Sequence, residues 1–272
     1  VQTLSKTTHL EKFDKHYFDY IVIDETHRAA AGSYQSIIEY FSPAFMLGMT
    51  ATPERTDGAD IFKLFNHNIA YEIRLQKAME AEMLAPFHYF GISDLTINDK
   101  EIDDKTDFNL LTAPERVRRI IEQIGIYGTD DGNTRGLVFC SRNDIAQELS
   151  HQFNQKGFNT IALSGASNED KRKGAIQLLS SNNKSEKLDY IFTVDIFNEG
   201  IDIPTVNQII MLRPTQSAII FVQQLGRGLR KAKDKSYLTV IDFIGNYSNN
   251  YLVPIALYGD TSYNKDKLRK LI

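Results

Sequence analysis

An apolar run that ends in two adjacent carboxylates constrains this chain more than any other segment. Residues 21–28 read Ile-Val-Ile-Asp-Glu-Thr-His-Arg. Such a run predicts a buried parallel strand, and open α/β sheets place their ligand chemistry at the carboxyl ends of these strands. Asp24 and Glu25 are therefore predicted at the edge of a site, where two carboxylates suit Mg²⁺ and water. On this motif alone, a solvated strand end without a chemical role stays open as the alternative.

Composition restricts the class of protein. The 272 residues are 42% apolar and 24% charged, which is typical of a soluble globular protein of one large or two ordinary domains, and the pattern along the chain favours two. No apolar run reaches the roughly 18 to 20 residues that cross a bilayer, and no leader pattern is present, so we expect a cytoplasmic protein without membrane contact. The one cysteine, Cys140, excludes an internal disulfide and is expected in the core. A formal net charge of -4 neither supports nor excludes a nucleic-acid partner.

Strand-like runs alternate with amphipathic segments, which is the pattern of parallel βαβ units. In the first block, strands are predicted at residues 20–24 and 45–48, and a helix at residues 75–83 that ends before Pro86. Two strands are too few for a closed domain. An acidic, turn-rich stretch at residues 94–107 is predicted to be an exposed excursion.

The second block carries a longer series of the same units. Its first helix is predicted to begin with a capping box at Thr112 and Glu115. Strands are predicted at residues 136–140, 160–163, 190–194, 208–212 and 237–243. Helical spacing predicts apolar faces at Val117, Ile120, Ile121 and Ile124, at Ile145, Leu149 and Phe153, and at Ala175, Leu178 and Leu179. The result is a doubly wound domain of five strands.

Residues 221–230 predict a helix with two different faces. An apolar stripe recurs every four residues, at Phe221, Leu225 and Leu229. Gln223, Arg227 and Arg230 recur on a second stripe about 200° away, so one face is predicted to pack and the other to present two guanidiniums. Gly226 and Gly228 are poor helix formers, which we interpret as small residues that allow close approach to another domain. An exposed basic helix face without a partner is the alternative.

Five short patterns in a fixed order resemble the motifs of superfamily 2 helicases and translocases of the DExH type. Asp-Glu-Thr-His at 24–27 is similar to motif II, Thr-Ala-Thr-Pro at 50–53 to motif III, Val-Phe-Cys-Ser at 138–141 to motif IV, residues 193–204 to motif V, and residues 223–230 to motif VI. The residues around two of these motifs most resemble the motor subunits of type I and type III restriction enzymes and the XPB-like branch. They read Asp-Glu-Thr-His-Arg-Ala at motif II and Thr-Ala-Thr-Pro-Glu-Arg-Thr-Asp-Gly at motif III. The resemblance implies an α/β protein of two tandem RecA-like domains with parallel sheets, the first truncated at its N-terminal side and the second complete.

The resemblance also implies an ATP site. Asp24 would hold Mg²⁺ through water, and Glu25 would act as base or orient the attacking water. Arg227 and Arg230 would reach the γ-phosphate as arginine fingers, each raising the rate by about 10³ to 10⁵, and Gln223 would position them or the water.

Other motif residues receive binding and coupling roles by the same resemblance. Gly200 would lie close to the nucleotide, and Asp202 would accept a hydrogen bond from its ribose. His27 would relay to Gln223, while the hydroxyls of Thr50 and Thr52 would couple hydrolysis to strand movement through hydrogen bonds with motif II. For motif V the alternative is a structural turn, and for the two threonines it is a turn or capping role.

Five residues of the second block are candidates for contacts to a nucleic-acid backbone, Thr193 by the resemblance and the others by their place after a strand: Ser141, Arg142, Ser164 and Gly165. These four also fall where a helix begins, and free amides at helix N-termini bind phosphate. Ser141 and Ser167 suit helix caps equally well, and that alternative stays open.

A superfamily 2 motor needs a phosphate loop that ends in Gly-Lys-Ser or Gly-Lys-Thr, and neither tripeptide occurs in the sequence. Residues 1–4 resemble motif Ib, so we expect the chain to begin inside the first RecA-like domain. An upstream part of the same protein would then carry the phosphate loop. By itself this fragment is expected to be inactive or very weakly active.

The sequence therefore predicts the motor core of an ATP-dependent DNA helicase or translocase. Residues 1–86 would be the C-terminal part of domain 1, residues 87–260 domain 2, and residues 261–272 a tail or tether. Nucleic acid would be held through phosphates across both domains, with DNA favoured over RNA, and restriction or repair subunits are possible partners. Two alternatives remain: a non-hydrolysing nucleic-acid-binding or scaffold module on the same frame, and an RNA helicase.

Overall fold

The computed structural model describes residues 4, 6–26, 32–50, 61–73, 75–93, 96–97, 100–101, 106–183, 185–194, 203–213 and 218–244. The chain divides into two compact units, residues 1–73 and residues 74–272. Four predicted site residues lie outside the described residues, namely His27, Thr52, Gly200 and Asp202, and so does the predicted tail. In the described ranges, every helix is too short or too polar to cross a membrane.

The first unit is built on two parallel strands, as predicted. Strand β1 (Tyr20–Ile23) pairs with β2 (Phe45–Gly48), with Ile23 opposite Gly48. The helical segments are α1 (Thr7–Leu10), α2 (Gly32–Tyr40) and a short 3₁₀ helix (Ile61–Phe65). Strand β1 ends one residue earlier than predicted, because the chain turns at Asp24.

The two strands of the first unit are only partly covered. Ile23 is 8% exposed, whereas Val22 is 57% exposed and Phe45 is 51% exposed. Since successive side chains of a strand point to opposite faces, one face of this sheet packs inward and the other faces solvent in this chain.

The second unit contains a six-stranded parallel sheet in the order β3-β10-β9-β6-β8-β7. Its strands are β3 (Phe87–Ser93), β6 (Gly136–Phe139), β7 (Thr160–Ala162), β8 (Tyr190–Thr193), β9 (Gln208–Met211) and β10 (Leu238–Ile244). A small antiparallel pair, β4 (Thr96–Ile97) and β5 (Lys100–Glu101), lies in the predicted acidic excursion. The helices are α3 (Leu75–Glu80), α4 (Phe108–Leu111), α5 (Pro114–Tyr127), α6 (Asn143–Gln155), α7 (Glu169–Leu179) and α8 (Ala218–Gly226).

The sequence predicts five strands for this sheet, and β3 is the one it misses. Residues 87–93 read Phe-His-Tyr-Phe-Gly-Ile-Ser, in which the aromatic residues and Ile92 favour a strand, but His88 and Gly91 interrupt the apolar run and leave no regular alternation. Seven consecutive residue pairs with β10 hold the segment at the sheet edge. Tertiary pairing therefore decides this element.

The segment before β3 belongs to the second unit. The amide of Ala85 donates to the carbonyl of Leu229 at 2.7 Å, and the amide of Leu238 donates to the carbonyl of Pro86 at 2.9 Å. Ala85 is 1% exposed, so the segment is also covered. The compact unit accordingly begins at residue 74, whereas the sequence predicts a domain boundary at residue 86.

Helices cover both faces of the sheet and form two core layers. Alternation along β6 sends Val138 and Cys140 to one layer and Leu137 and Phe139 to the other. Helices α5 and α6 pack on the first layer, and α7 and α8 on the second. The predicted core position of Cys140 is confirmed, and burial raises the pKa of its thiol to about 12.

The predicted apolar helix faces pack mostly into the core, but one of their residues is exposed. The faces on α5 and α6 pack into the core, with Ile121 partly buried at the margin. Leu178 of α7 is 40% exposed, so its predicted place in the core is wrong. The predicted capping box is also wrong: Ala113 precedes α5, and the hydroxyl of Thr112 instead donates to the carbonyl of Phe108 at the end of α4.

A buried acid lies near the end of β10. Asp242 is 4% exposed, and one of its oxygens accepts a hydrogen bond of 2.7 Å from the hydroxyl of Tyr89. Burial raises the pKa of the Asp242 carboxyl to about 6. The sequence analysis gives neither residue a role.

Candidate functional site

The two carboxylates of motif II lie in a tight turn directly after β1. Asp24 is exposed, and its Oδ1 accepts a hydrogen bond of 2.9 Å from the amide of Glu25. Glu25 has φ 52°, which is the left-handed region. For a residue with a side chain this conformation costs about 1 to 2 kcal/mol, and such cost persists only where surrounding contacts impose it. The turn thus fixes the direction in which the Glu25 side chain leaves the strand.

Thr26 supplies those contacts. It is 2% exposed, its hydroxyl donates to the carbonyl of Ile23 at 2.8 Å, and its amide donates to the carbonyl of Met49 at 2.9 Å. A Cβ added to Gly48 would lie 2.5 Å from the ring of Phe65 and 2.9 Å from the Thr26 hydroxyl, so Gly48 leaves space for both side chains. From the sequence, Thr26 is recognised only as part of motif II, because a buried threonine after two carboxylates has no distinctive sequence signal.

These contacts join the end of β1 to the end of β2. The amide of Met49 donates to the carbonyl of Ile23 at 2.8 Å, which continues the strand pairing by one residue. Thr50 follows and is half-buried. Motif II is therefore tied through the main chain to the strand that leads into motif III, and coupling through the Thr50 and Thr52 hydroxyls stays a prediction.

In the described residues there is no cluster of three or more His, Cys, Asp or Glu side chains that could hold a metal ion. Mg²⁺ does not need one, because it keeps several waters and binds through one or two carboxylates and substrate phosphates. Asp24 is exposed and uses one oxygen in the turn. This arrangement fits a water-mediated Mg²⁺ contact.

Motif VI begins in α8 and continues beyond it. The apolar stripe is confirmed, with Phe221 and Leu225 each 0% exposed and Leu229 2% exposed. Helix α8 ends at Gly226, so the prediction that Arg227 and Arg230 lie on one helical stripe with Gln223 is wrong. Beyond the helix the amide of Gly228 donates to the carbonyl of Leu225 at 2.9 Å in a tighter turn.

The polar members of motif VI become more exposed along the chain. Gln223 and Arg227 are half-buried, and Arg230 is exposed. Both arginines make further interactions in the structure.

The two glycines of this segment have different surroundings. A Cβ on Gly228 would lie 2.5 Å from Leu238 and 3.1 Å from Ile209, both of the six-stranded sheet, whereas a Cβ on Gly226 would meet no described heavy atom within 4 Å. Gly228 is therefore small because its backbone packs on its own sheet. The interpretation that it makes room for another domain is wrong.

The five predicted nucleic-acid residues lie together at the carboxyl ends of neighbouring strands in the six-stranded sheet. Ser141 and Arg142 follow β6, Ser164 and Gly165 follow β7, and Thr193 ends β8. Strand β8 pairs in parallel with both β6 and β7, so these carboxyl ends are neighbours.

Arg142 begins α6 and is paired at this edge. Its Nε lies 3.2 Å from Asp144 Oδ1, and its Nη2 lies 3.3 Å from Asp144 Oδ2. The hydrogen bond from Arg142 is the main reason that the pKa of Asp144 is lowered. Because Arg142 occupies the N-cap position of α6, the alternative that Ser141 caps this helix is wrong.

The turn after β7 is held by side chains on both sides. Arg172 donates to the carbonyl of Gly165 at 2.8 Å, and the hydroxyl of Ser167 accepts from the amide of Ser164 at 3.1 Å. Asn168 caps α7, so the alternative that Ser167 is the cap is wrong. The hydroxyl of Thr193 is buried and has no hydrogen-bond partner among the described residues.

Comparison with known families gives two matches. Residues 1–55 match the family described as "Type III restriction enzyme, res subunit". Residues 115–232 match the "Helicase conserved C-terminal domain". The first covers motifs II and III, and the second covers motifs IV, V and VI.

Curated relatives extend over most of the chain. The chain is 26% identical over 271 residues to a protein of Saccharomyces cerevisiae named "Putative ATP-dependent helicase IRC3", covering 95% of this chain and 38% of that protein. It is also 26% identical over 260 residues to the "Type I restriction enzyme EcoAI endonuclease subunit" of Escherichia coli, covering 84% of this chain and 32% of that protein. The chain thus spans well under half the length of these two relatives.

Solved structures share the fold. A fragment of a putative HsdR subunit of a type I restriction enzyme from Vibrio vulnificus YJ016 has a TM-score of 0.70 at 26% identity, over 91% of this chain and 47% of that one. Dbp5 of Saccharomyces cerevisiae, bound to RNA and ADP BeF3, has a TM-score of 0.60 at 15% identity, over 99% of this chain and 66% of that one, and shows the fold alone.

Proposed function

Because the chain is a superfamily 2 helicase core similar to the motor subunits of restriction enzymes, we propose that its protein uses ATP hydrolysis to move along or unwind DNA. The observation that carries the proposal is the motif II turn, where two carboxylates follow a parallel strand and one of them is held in a left-handed conformation. Asn66, His67 and Glu82 share a positive φ, so the conformation alone does not mark a base. Support comes from its combination with two adjacent carboxylates at the end of a parallel strand, where a fixed main chain holds a catalytic group in one direction.

In this proposal Asp24 contacts Mg²⁺ through water and Glu25 takes the proton of the attacking water or orients it. ATP with Mg²⁺ supplies the transferring phosphoryl group and part of the charge neutralisation. Asp24 suits the metal because it is exposed. Glu25 suits the water because its main chain is fixed on both sides by Asp24 and Thr26.

Arg227 and Arg230 supply positive charge to the γ-phosphate in the transition state, and Gln223 positions them or the water. Support comes from the buried stripe of α8, which fixes the segment against the sheet. His27, Gly200 and Asp202 keep the roles that the motif resemblance gives them.

The carboxyl edge of β6, β7 and β8 is the proposed contact with the nucleic-acid backbone. Phosphate contacts carry no sequence information, which suits a motor that must pass any sequence. DNA is proposed as the track because relatives over most of the chain are named as restriction-enzyme subunits. Partner subunits of a restriction or repair assembly are proposed on the same ground.

The test is Mg²⁺-dependent ATP hydrolysis by the full-length natural protein, with double-stranded DNA, single-stranded DNA and RNA added in turn. We expect stimulation by DNA, a loss of at least about 10²-fold in Glu25→Gln, and little change in Glu39→Gln, an exposed glutamate of the same unit. Stronger stimulation by RNA would replace the proposed track. No hydrolysis by the folded protein with any polymer would favour a non-hydrolysing binding module.

A further inference from the structure

The main chain that follows α8 must find partners for its carbonyl groups. Carbonyls beyond the end of a helix are not bonded by the N–H groups of that helix, and covered carbonyls need a donor from elsewhere. Here the chain passes from Gly226 through a tight turn to Arg230, and Gly228 is pressed against the sheet. The carbonyls of residues 228, 229 and 230 therefore need donors at a position that the sheet partly covers.

One lysine supplies two of these donors. The Nζ of Lys235 donates to the carbonyl of Gly228 at 2.6 Å and to the carbonyl of Arg230 at 2.7 Å. The intervening carbonyl, of Leu229, accepts from the amide of Ala85 at 2.7 Å. Three consecutive carbonyls of motif VI are thus each bonded, while the Arg230 side chain stays exposed.

The third donor of the same ammonium goes to motif V. Lys235 Nζ donates to the carbonyl of Pro204 at 3.0 Å, directly after the buried Ile203. An ammonium group has three N–H donors, so these three carbonyls use its full capacity. Lys235 therefore ties the end of motif V to the arginine segment of motif VI.

We propose that Lys235 is a positioning residue, whose ammonium group holds the main chain of residues 228–230 and so sets where Arg230 presents its guanidinium. The inference rests on the proposed function, because it gives Arg230 an ATPase role. Lys235 touches no reacting atom in this account; it acts through Arg230.

The charge of Lys235 is maintained at neutral pH. Burial lowers the pKa of its ammonium group to about 8, and the charge of Asp130 opposes that shift. A planar guanidinium cannot direct three donors to three convergent carbonyls, so Lys235→Arg should not replace the lysine although it keeps the charge.

The first experiment measures hydrogen exchange on the 272-residue chain and needs no enzymatic activity. In Lys235→Met we expect the amides of Ala85 and Gly228 to exchange at least about 10-fold faster, because the carbonyls around them lose their donor. Lys233→Met, which removes an exposed lysine two residues away, should change neither amide. Unchanged exchange in Lys235→Met would overturn the inference.

Chemical rescue separates the ammonium group from general damage to the fold. In Lys235→Cys, alkylation with 2-bromoethylamine forms a thioether and restores an ammonium group at nearly the length of lysine. The native Cys140 is 0% exposed and its thiol pKa is raised to about 12, so the new thiol should react selectively. Slow exchange should return after alkylation; exchange that stays fast would count against a role for the ammonium group.

The second experiment measures ATP hydrolysis by the full-length natural protein. We expect Lys235→Met to lower kcat about 10- to 100-fold with a smaller change in KM, because a misplaced finger acts mainly in the transition state. The double variant Lys235→Met with Arg230→Ala should be no slower than Arg230→Ala alone. Wild-type kcat in Lys235→Met beside an impaired Arg230→Ala would overturn the inference, whereas wild-type kcat in Arg230→Ala would instead contradict the proposed function.

Discussion

The two units place their motifs on parallel strands that differ in burial. Along β1 the residues alternate between exposed and covered, and only Ile23 is fully buried, whereas all four residues of β6, β8 and β9 are buried. The motif II turn therefore depends on local bonds from Thr26, while the motif VI segment depends on packing against a complete sheet. A functional turn can be held either by a few local hydrogen bonds or by a core, and the two should respond differently to mutation.

The largest expected effect is on ATP hydrolysis and comes from Arg230, at the exposed end of the motif VI segment. Arg230→Ala should lower kcat for ATP hydrolysis by about 10³-fold or more, because it removes charge opposite the transferring phosphoryl group. The neighbouring Lys231→Ala, also at an exposed position, should change kcat less than about 3-fold. Equal effects of the two variants would contradict the special role of Arg230.

The same substitution in the two sheets measures the difference in burial directly. Val138→Ala in β6, at 0% exposure, should lower the free energy of unfolding by about 2 to 3 kcal/mol through lost burial and a cavity. Val22→Ala in β1, at 57% exposure, should change it by less than about 0.5 kcal/mol. Urea denaturation of the 272-residue chain checks both, and equal costs would break the comparison.

The six-stranded sheet also carries a buried carboxyl group, Asp242, that should make the free energy of unfolding depend on pH. The pKa of Asp242 is raised from 3.8 to about 6 in the folded chain, so this group favours folding most below pH 4 and that contribution is lost as the pH rises to about 6. Over this window the unfolding free energy of the wild type should fall relative to Asp242→Asn by on the order of 1 to 3 kcal/mol. A constant difference between the two proteins from pH 4 to 7 would contradict the assignment.

Two glycines test the packing of the motif VI segment. Gly228→Ala should cost about 1 to 3 kcal/mol, because its Cβ would overlap Leu238 of β10. Gly226→Ala meets open space and should be neutral or stabilise the helix end by up to about 1 kcal/mol. Thermal unfolding measures both, and the reverse order would contradict the packing described for Gly228.

A smaller loss of stability than in Val138→Ala should follow from removing a local bond of the motif II turn. Thr26→Val keeps the shape and removes the hydroxyl that donates to Ile23, which should cost about 1 kcal/mol, whereas Thr26→Ser keeps the donor. Thr26→Ser also loses a buried methyl group, so the decisive comparison is with the wild type: if Thr26→Val were as stable as the wild type, the turn would not depend on this bond.

Periodicity was enough to predict the main architecture. The strand at residues 45–48 and the buried apolar stripe that begins in α8 follow from the sequence pattern alone. Strand β3 could not be predicted, because its pairing with β10 involves residues about 150 positions away in the sequence. Propensity carries no such long-range information.

The site also has residues that the sequence identifies and features that only the fold determines. Asp24 and Glu25 are recognisable because their residue types follow a strand. The conformation of Glu25, the buried hydroxyl of Thr26 and the three bonds of Lys235 depend on neighbours that the fold brings together. A lysine in a run of basic residues gives no sign that its ammonium group is buried against carbonyls.

The most direct test asks whether Glu25 and Arg230 serve one reaction. In the full-length natural protein, kcat for polymer-stimulated ATP hydrolysis would be measured for Glu25→Gln, Arg230→Ala and the double variant. Residues that act as one catalytic unit are strongly non-additive, so the double variant should be no more than about 10-fold slower than the slower single variant. A double variant whose loss equals the product of the two single losses, or an Arg230→Ala variant with wild-type kcat, would contradict the account.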